Sequence, residues 1–409
     1  VKQGYLYENY DIIMYKLHVA ICLLFLMFSG IVQAQDIFDT GIKPADAQPD
    51  RYTSLLKGSR VALVINQTSS VGDSSLVDIL VRRNVKVVKI FVPEHGFRGQ
   101  EDAGAHINNT IDSMTGLPVV SLYGKHKKPT NSDLADIDVV VYDLQDVGVR
   151  FYTYISTLQY CMEACAQNGK KIIVLDKPDP NGFYVDGPVM ETAYQSFVGM
   201  QPIPIVYGMT PGEYASMLKG ENWFPEAGKL DLKVVKCIGY DHKKKYKLPV
   251  APSPNLRNMA AVYAYPSLCL FEGTKISIGR GTDRPFQQYG CPEFSGAYRY
   301  TFTPVPGPGS KNPPYEHQEC HGKLIGTSAD SVLKETGSRL RLVWIQDAYA
   351  AYPAKDSFFT TFFLQLSGTN LLEEAIRKGR SEEEISASWQ PDMKKFMAIR
   401  KRYLLYADF

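Results

Sequence analysis

Between Ser59 and Asp176 the sequence alternates short, near-continuous apolar runs with stretches of helical period, a rhythm that few folds accommodate. The runs are RVALVIN at 60–66, VKVVKIFVP at 85–93, VVSLY at 119–123, IDVVVYD at 137–143 and KIIVLD at 171–176. A strand with one wet face alternates apolar and polar residues, so runs apolar throughout belong to strands covered on both faces. Helical candidates lie between them at 75–83, 132–135 and 154–168, the last stopped by Gly169. Strand and helix in alternation predict an α/β fold on a doubly wound, mostly parallel sheet.

After Asn181 the text turns rich in Pro and Gly. Thr210-Pro211-Gly212-Glu213 has the residues of a capping box with Pro at the first helical position, predicting a helix to about Leu218. VAPSPN at 250–255 is too rich in Pro for a central strand and marks the expected junction. This gives a first domain over 35–252 and a smaller α+β domain over 253–409. The second is expected to hold a strand near 340–345, a helix near 371–378, and a final helical stretch opened by Ser381 with Glu384 three residues on.

The amino terminus reads as an export signal. Lys16 and His18 precede an apolar run over 19–28, followed by Val32-Gln33-Ala34, a cleavage-site pattern that leaves Gln35 first. The run is shorter than the ~20 residues a spanning helix needs, so no stable membrane anchor is expected. Met14 is the natural start, residues 1–13 an upstream extension, and Cys22 inside the apolar run argues against a lipoprotein. A periplasmic or secreted protein follows. Its cysteines at 161, 165, 237, 269, 291 and 320 are too sparse for a stapled scaffold and read as small buried residues.

With 45 Lys and Arg against 43 Asp and Glu, and no basic run noted beyond Lys243–Lys245, nothing suggests a nucleic-acid partner. The 26 Tyr and 19 Phe suit a groove that meets the faces and hydroxyls of a sugar.

In open parallel sheets ligands bind beyond the carboxyl ends of the strands, where loops and helix amino termini converge. The predicted strands end there in Asn66-Gln67-Thr68, Glu94-His95-Gly96, Asp143-Leu144-Gln145-Asp146 and Asp176-Lys177. A carboxyl at the mouth of a buried strand can be desolvated enough to hold a proton, as a general acid must, which singles out Glu94. The alternative is a Glu satisfied by Arg98 in its own loop. His95 is either its tuning partner or a ligand donor. Glu101, Asp102 and His106 lack a recognised metal spacing.

Arg150-Phe151-Tyr152-Thr153-Tyr154 sets a guanidinium beside two phenols, suited to a carboxylate and a sugar ring. Glu272, Arg280, Thr282 and Arg284 fall in or beside a Gly-rich loop. The absence of G-x-G-x-x-G after the first strand, of a P-loop and of G-x-S-x-G sets aside dinucleotide, nucleotide and serine-hydrolase chemistry.

Several strings together carry a resemblance. NQTS at 66, PEHGFRG at 93, TGLPVVSLYG at 115, YDLQDVGVRFYTYIST at 142, LDKPDPNG at 175, VDGPV at 185, PSPN at 252 and YPSLCLFEGTKISIGRGTDRPF at 265 resemble the NamZ-like exo-β-N-acetylmuramidases, long carried as a domain of unknown function. The resemblance implies a Rossmann-like catalytic domain, a smaller domain completing a cleft, and release of N-acetylmuramic acid from peptidoglycan-derived muramyl saccharides without a cofactor. It also implies that Glu94 and His95 are catalytic. Asp143 is then the first choice for the second carboxylate, with Asp146 and Glu272 behind it. Arg150, Arg280 and Arg284 become candidates for the lactyl carboxylate. Asn66, Arg98, Gln145, Tyr152, Tyr154, Lys177, Ser253, Asn255, Glu272 and Thr282 complete the expected substrate site. The competing readings are a periplasmic sugar-binding protein without catalysis and a metal-dependent cell-wall amidase or esterase.

Overall fold

The apolar runs become the strands of one sheet because each of their faces meets a separate hydrophobic layer. In the computed structural model, which describes residues 37–94 and 110–409, these are β1 (Arg60–Ile65), β2 (Lys86–Val92), β3 (Thr110–Ile111), β4 (Pro118–Ser121), β5 (Val139–Asp143), β6 (Lys171–Leu175) and β7 (Asp231–Val235). Their spatial order is β3-β4-β2-β1-β5-β6-β7, parallel throughout except where β3 meets β4. The chain runs outward from β1 through β2 to β4, then returns past β1 to β5, β6 and β7. The topological switch therefore falls between β1 and β5.

Side chains alternate faces along β1. Val61, Leu63 and Ile65 enter a layer with Tyr52, Leu56 and Leu80, while Ala62 and Val64 enter the larger layer that continues to Trp344 and Phe396. Each fully buried aliphatic contributes about 1.5–3 kcal/mol, so Leu63→Ala removes about 2–5 kcal/mol with its cavity term. β7, absent from the sequence expectations, is an edge strand whose DLKVV alternates exposure, so it lacks the continuous apolar signature.

The helices begin where short polar side chains can take up free backbone amides. Ser75 caps α1 (Leu76–Arg82), and Thr130 with Asp133 closes a capping box on α2 (Asn131–Leu134). Next come α3 (Tyr154–Gln167) and α4 (Pro211–Gly220), the latter with the expected Thr210–Glu213 box.

The later half contains α5 (Met259–Leu268), α6 (Ala329–Thr336), α7 (Val343–Ala351), α8 (Thr361–Ser367), α9 (Leu371–Arg377), α10 (Glu382–Ser388) and α11 (Gln390–Arg400). It also holds an antiparallel sheet of β8 (Gln288–Cys291), β9 (Tyr300–Phe302) and β10 (Cys320–Leu324), with β10 central. The strand expected near 340–345 is instead the lead-in to α7 and its first turn. Trp344, Ile345 and Ala348 are buried together at helical spacing.

The six cysteines from Cys161 to Cys320 are buried and unpaired. No helix among the described residues is long and apolar enough to cross a membrane. The leader read at 1–34, together with His95, Arg98, Glu101, Asp102 and His106, lies outside the described residues.

Candidate active site

The carboxyl ends of the strands deliver their polar residues to one edge of the sheet, but to two different environments. β2 runs out through Pro93 into Glu94, and β4 through Leu122 into Tyr123. Both residues line a cavity of about 410 Å³, with Phe151–Tyr154 ahead of α3 and Tyr265, Glu272, Arg280 and Phe286 from the later half. The turn after β5 that brings 151–154 there depends on Gly148. Its φ is +73°, and a Cβ would lie 2.2 Å from Asp179 Oδ1.

Eight of the cavity's side chains are aromatic. Tyr152 and Tyr154 meet edge to face at 4.7 Å, and Tyr152 donates to Pro252 O at 2.8 Å. Asn66 lies behind this wall, its Nδ2 donating to the Tyr154 hydroxyl at 2.8 Å. Burial holds the Tyr154 phenol well above its usual range, so the hydroxyl keeps its proton. Half-buried Glu94 accepts from Thr153 Oγ1 at 3.3 Å.

Glu272 is the second carboxylate of the cavity. Arg280 places Nε at 2.7 Å and Nη2 at 2.6 Å from Glu272 Oε1, and its guanidinium lies 5.1 Å from the centre of the Phe286 ring. The other oxygen, Oε2, meets the Cys269 thiol at 3.4 Å. Ser253 and Asn255 also line the cavity, where Asn255 Oδ1 is buried without a partner and Nδ2 holds Gly309 O at 2.8 Å. A neighbouring cavity of about 370 Å³, over 247–252 and 256–260, contains no carboxylate.

The second environment lies beside the switch between β1 and β5. Lys177 Nζ sits 2.6 Å from Asp46 Oδ2, 3.1 Å from Asp143 Oδ1 and 3.2 Å from Thr68 O, and all three side chains are buried. Burial pushes Asp143 up to about 7, while its carboxylate neighbours keep Lys177 charged. Lys177 therefore bridges the two carboxylates, its ammonium closer to Asp46 than to Asp143. A small cavity of about 150 Å³ lined by Asp46, Thr68, Gln145 and Lys177 opens there.

Several sequence-predicted residues thus serve the framework. Asp143 and Lys177 face each other and do not line the Glu94 cavity. Gln145 turns its amide to Asp146 O and Pro178 O. Asp146 is buried beneath, accepting from Gly148 N and Tyr207, and burial pushes it up to about 7.

Arg150 is fully buried, with hydrogen bonds to the carbonyls of Pro188, Ile203, Leu366 and Ser367, which leave it no reach toward a ligand. Thr282 ties its own loop to Gly279 O and Gln288, and Arg284 lies beside Asp283 outside the cavity lining.

Sequence reasoning missed Asp46 and the walls Tyr123, Phe197, Tyr265, Phe286 and Phe362. Tyr123 was within reach of the strand-end rule, since it follows β4 as Glu94 follows β2. Phe197 and Phe362 arrive from segments with no periodic signal toward the sheet.

With this geometry in place, comparison with known proteins is specific. The family model described as exo-beta-N-acetylmuramidase NamZ, N-terminal, matches residues 61–260, and its C-terminal counterpart matches 263–406. The chain is 40% identical over 377 residues to the peptidoglycan beta-N-acetylmuramidase NamZ of Bacillus subtilis (strain 168), covering 88% of this chain and 89% of that protein. Two crystal structures of DUF1343 family proteins from Bacteroides fragilis are similar. One has a TM-score of 0.83 at 46% identity, covering 90% of this chain and 100% of that one. The other has 0.73 at 31% identity, covering 89% and 99%.

Proposed function

Since the chain belongs to the NamZ family of exo-β-N-acetylmuramidases and is a glycosidase, we propose that it removes N-acetylmuramic acid from the non-reducing ends of peptidoglycan-derived saccharides, with Glu94 as general acid. One observation carries this reading: Glu94 and Glu272 line a single aromatic cavity of about 410 Å³. Glycoside hydrolysis needs a proton donor at the departing oxygen and a second group that answers the positive charge developing at the anomeric carbon.

Glu94 gives its proton to the glycosidic oxygen as the bond breaks. Glu272, pinned through one oxygen by Arg280, supplies the second function by activating water, by direct attack, or by orienting the substrate's acetamido oxygen. The anomer formed first, read by NMR, separates the inverting route from the retaining ones. Asp143 does not take this part, because Lys177 and the surrounding burial hold it away from the cavity. Tyr152 and Tyr265 line the wall that the sugar ring would meet, while the hydroxyls of Tyr152 and Tyr154 are held by Pro252 O and Asn66.

Glu94→Gln is expected to lower release of N-acetylmuramic acid from a muramyl disaccharide, whose sugar leaving group must be protonated, by about 10²–10⁴-fold while sugar binding holds. Release near the wild-type rate would remove Glu94 from the role, and a wild-type protein that frees no muramic acid would reject the activity. The apolar run over 19–28 and the Ala34 site support action outside the cytoplasm. Fractionation of cells carrying a carboxyl-terminally tagged chain tests that location.

A further inference from the structure

Helix α3 begins without the side-chain cap that its sequence offers. A Thr just ahead of a helix ordinarily turns its hydroxyl back to an amide of the first turn. Thr153 stands in that position before α3, yet its side chain makes no such bond. The hydroxyl is donated instead to Glu94 Oε2, at 3.3 Å. The tip of β2 and the amino end of α3 therefore meet at the carboxyl group read as the general acid.

The rest of the residue is fixed in place. Its carbonyl accepts from Ser156 N at 3.1 Å and from Thr157 N at 3.0 Å. On one side the Tyr152 hydroxyl is tied to Pro252 O, and on the other the Tyr154 hydroxyl is tied to Asn66. A β-branched side chain on a fixed backbone has few χ1 wells, so Oγ1 is a donor set in advance. Thr153 and Glu94 both line the cavity that Glu272 shares.

We infer that Thr153 is a positioning residue for the acid step: its hydroxyl orients the Glu94 carboxyl and directs the acid proton to the other oxygen, Oε1. The inference rests on the reading of Glu94 as general acid. A carboxyl oxygen that accepts from a hydroxyl leaves its partner oxygen to carry the proton. As that proton passes from Oε1 to the glycosidic oxygen, negative charge grows on the carboxylate. The bond from Thr153 then strengthens, because hydrogen bonds to ionised acceptors are shorter and stronger than neutral ones. Its length of 3.3 Å fits a contact that tightens during reaction, as hydrogen bonds at catalytic groups commonly do.

Thr153→Val removes the donor and keeps the branched shape, while Thr153→Ser keeps the donor. Each variant is assayed on two glycosides of N-acetylmuramic acid. One is a disaccharide, whose sugar leaving group must be protonated. The other is the 4-nitrophenyl glycoside, whose phenolate departs with little help from an acid. On the disaccharide, Thr153→Val should lower kcat/KM by about tenfold, the lower range for a hydrogen bond to a charged group. On the nitrophenyl glycoside it should stay within about twofold of wild type, and Thr153→Ser within about threefold on both. The ratio of the two substrates is internal to each variant, so a change in the folded fraction cancels. An equal loss on both substrates, full activity of Thr153→Val on the disaccharide, or a Ser variant as impaired as Val would each overturn the inference. Failure of the general-acid reading is distinguishable, since Glu94→Gln would then cleave the disaccharide at the wild-type rate.

Discussion

Replacing Arg150 by Met decides whether this guanidinium holds the fold or meets substrate. It is fully buried and donates to Pro188 O at 2.9 Å, Ile203 O at 2.7 Å, Leu366 O at 2.8 Å and Ser367 O at 2.7 Å. No carboxylate among the described residues balances it, and burial alone pulls its pKa down to about 9. The last two acceptors close the carboxyl end of α8, where a cation also meets the helix dipole. Hydrogen bonds from a charged donor are worth about 1.5–3 kcal/mol each, so four give roughly 6–12 kcal/mol gross. Against this stands a desolvation cost of several kcal/mol for the buried ion. Methionine fills much of the space but takes the donor from the carbonyls of Pro188, Leu366 and Ser367, while Ile203 O keeps Met190 N, and the net loss should be about 3–5 kcal/mol. For a compact unit of this size that is roughly 4–7 °C in Tm. Calorimetry and urea unfolding measure it, beside titration with N-acetylmuramic acid. A variant that melts within about 1 °C of wild type, yet binds the sugar more than about tenfold more weakly, would refute the structural assignment and return Arg150 to the substrate.

Stability should also respond to pH with a definite sign. Burial pushes Asp143, Asp146 and Asp176 each up to about 7, above the ordinary carboxylate range. Between about pH 4 and 7 the native state therefore holds protons that the unfolded chain has released, and these three groups lower stability as pH rises through that window. The melting temperature should fall from pH 5 to pH 8, and Asp146→Asn should remove about 3 kcal/mol of that decline, from the roughly two units between pH 5 and its pKa of about 7 at about 1.36 kcal/mol each. An unchanged slope in that variant counts against the buried-acid account. At the Glu94–Glu272 cavity, Arg280→Met frees Glu272 from its ion pair. Steady-state kinetics should show kcat lowered by about 10–100-fold, consistent with misplacement of a reacting group, and KM within about threefold. A rise in KM with unchanged kcat would instead make Arg280 a binding residue.

The parallel sheet was legible because buried strands have no polar face to hide their pattern, and the Thr210–Glu213 and Ser381–Glu384 boxes mark their helices through local hydrogen bonds alone. Glu94 was legible for a related reason: its place at the tip of β2 follows from the strand itself. What sequence could not tell was which way a charge at a strand tip turns. Lys177 reads as a cation offered to a ligand until Asp46, 131 residues upstream, closes on it. Arg150 reads as a carboxylate clamp until α8 brings two carbonyls from more than 200 residues downstream. In both cases the deciding partner is non-local and is either a carbonyl, which has no side-chain signature, or a lone acid in an aperiodic loop.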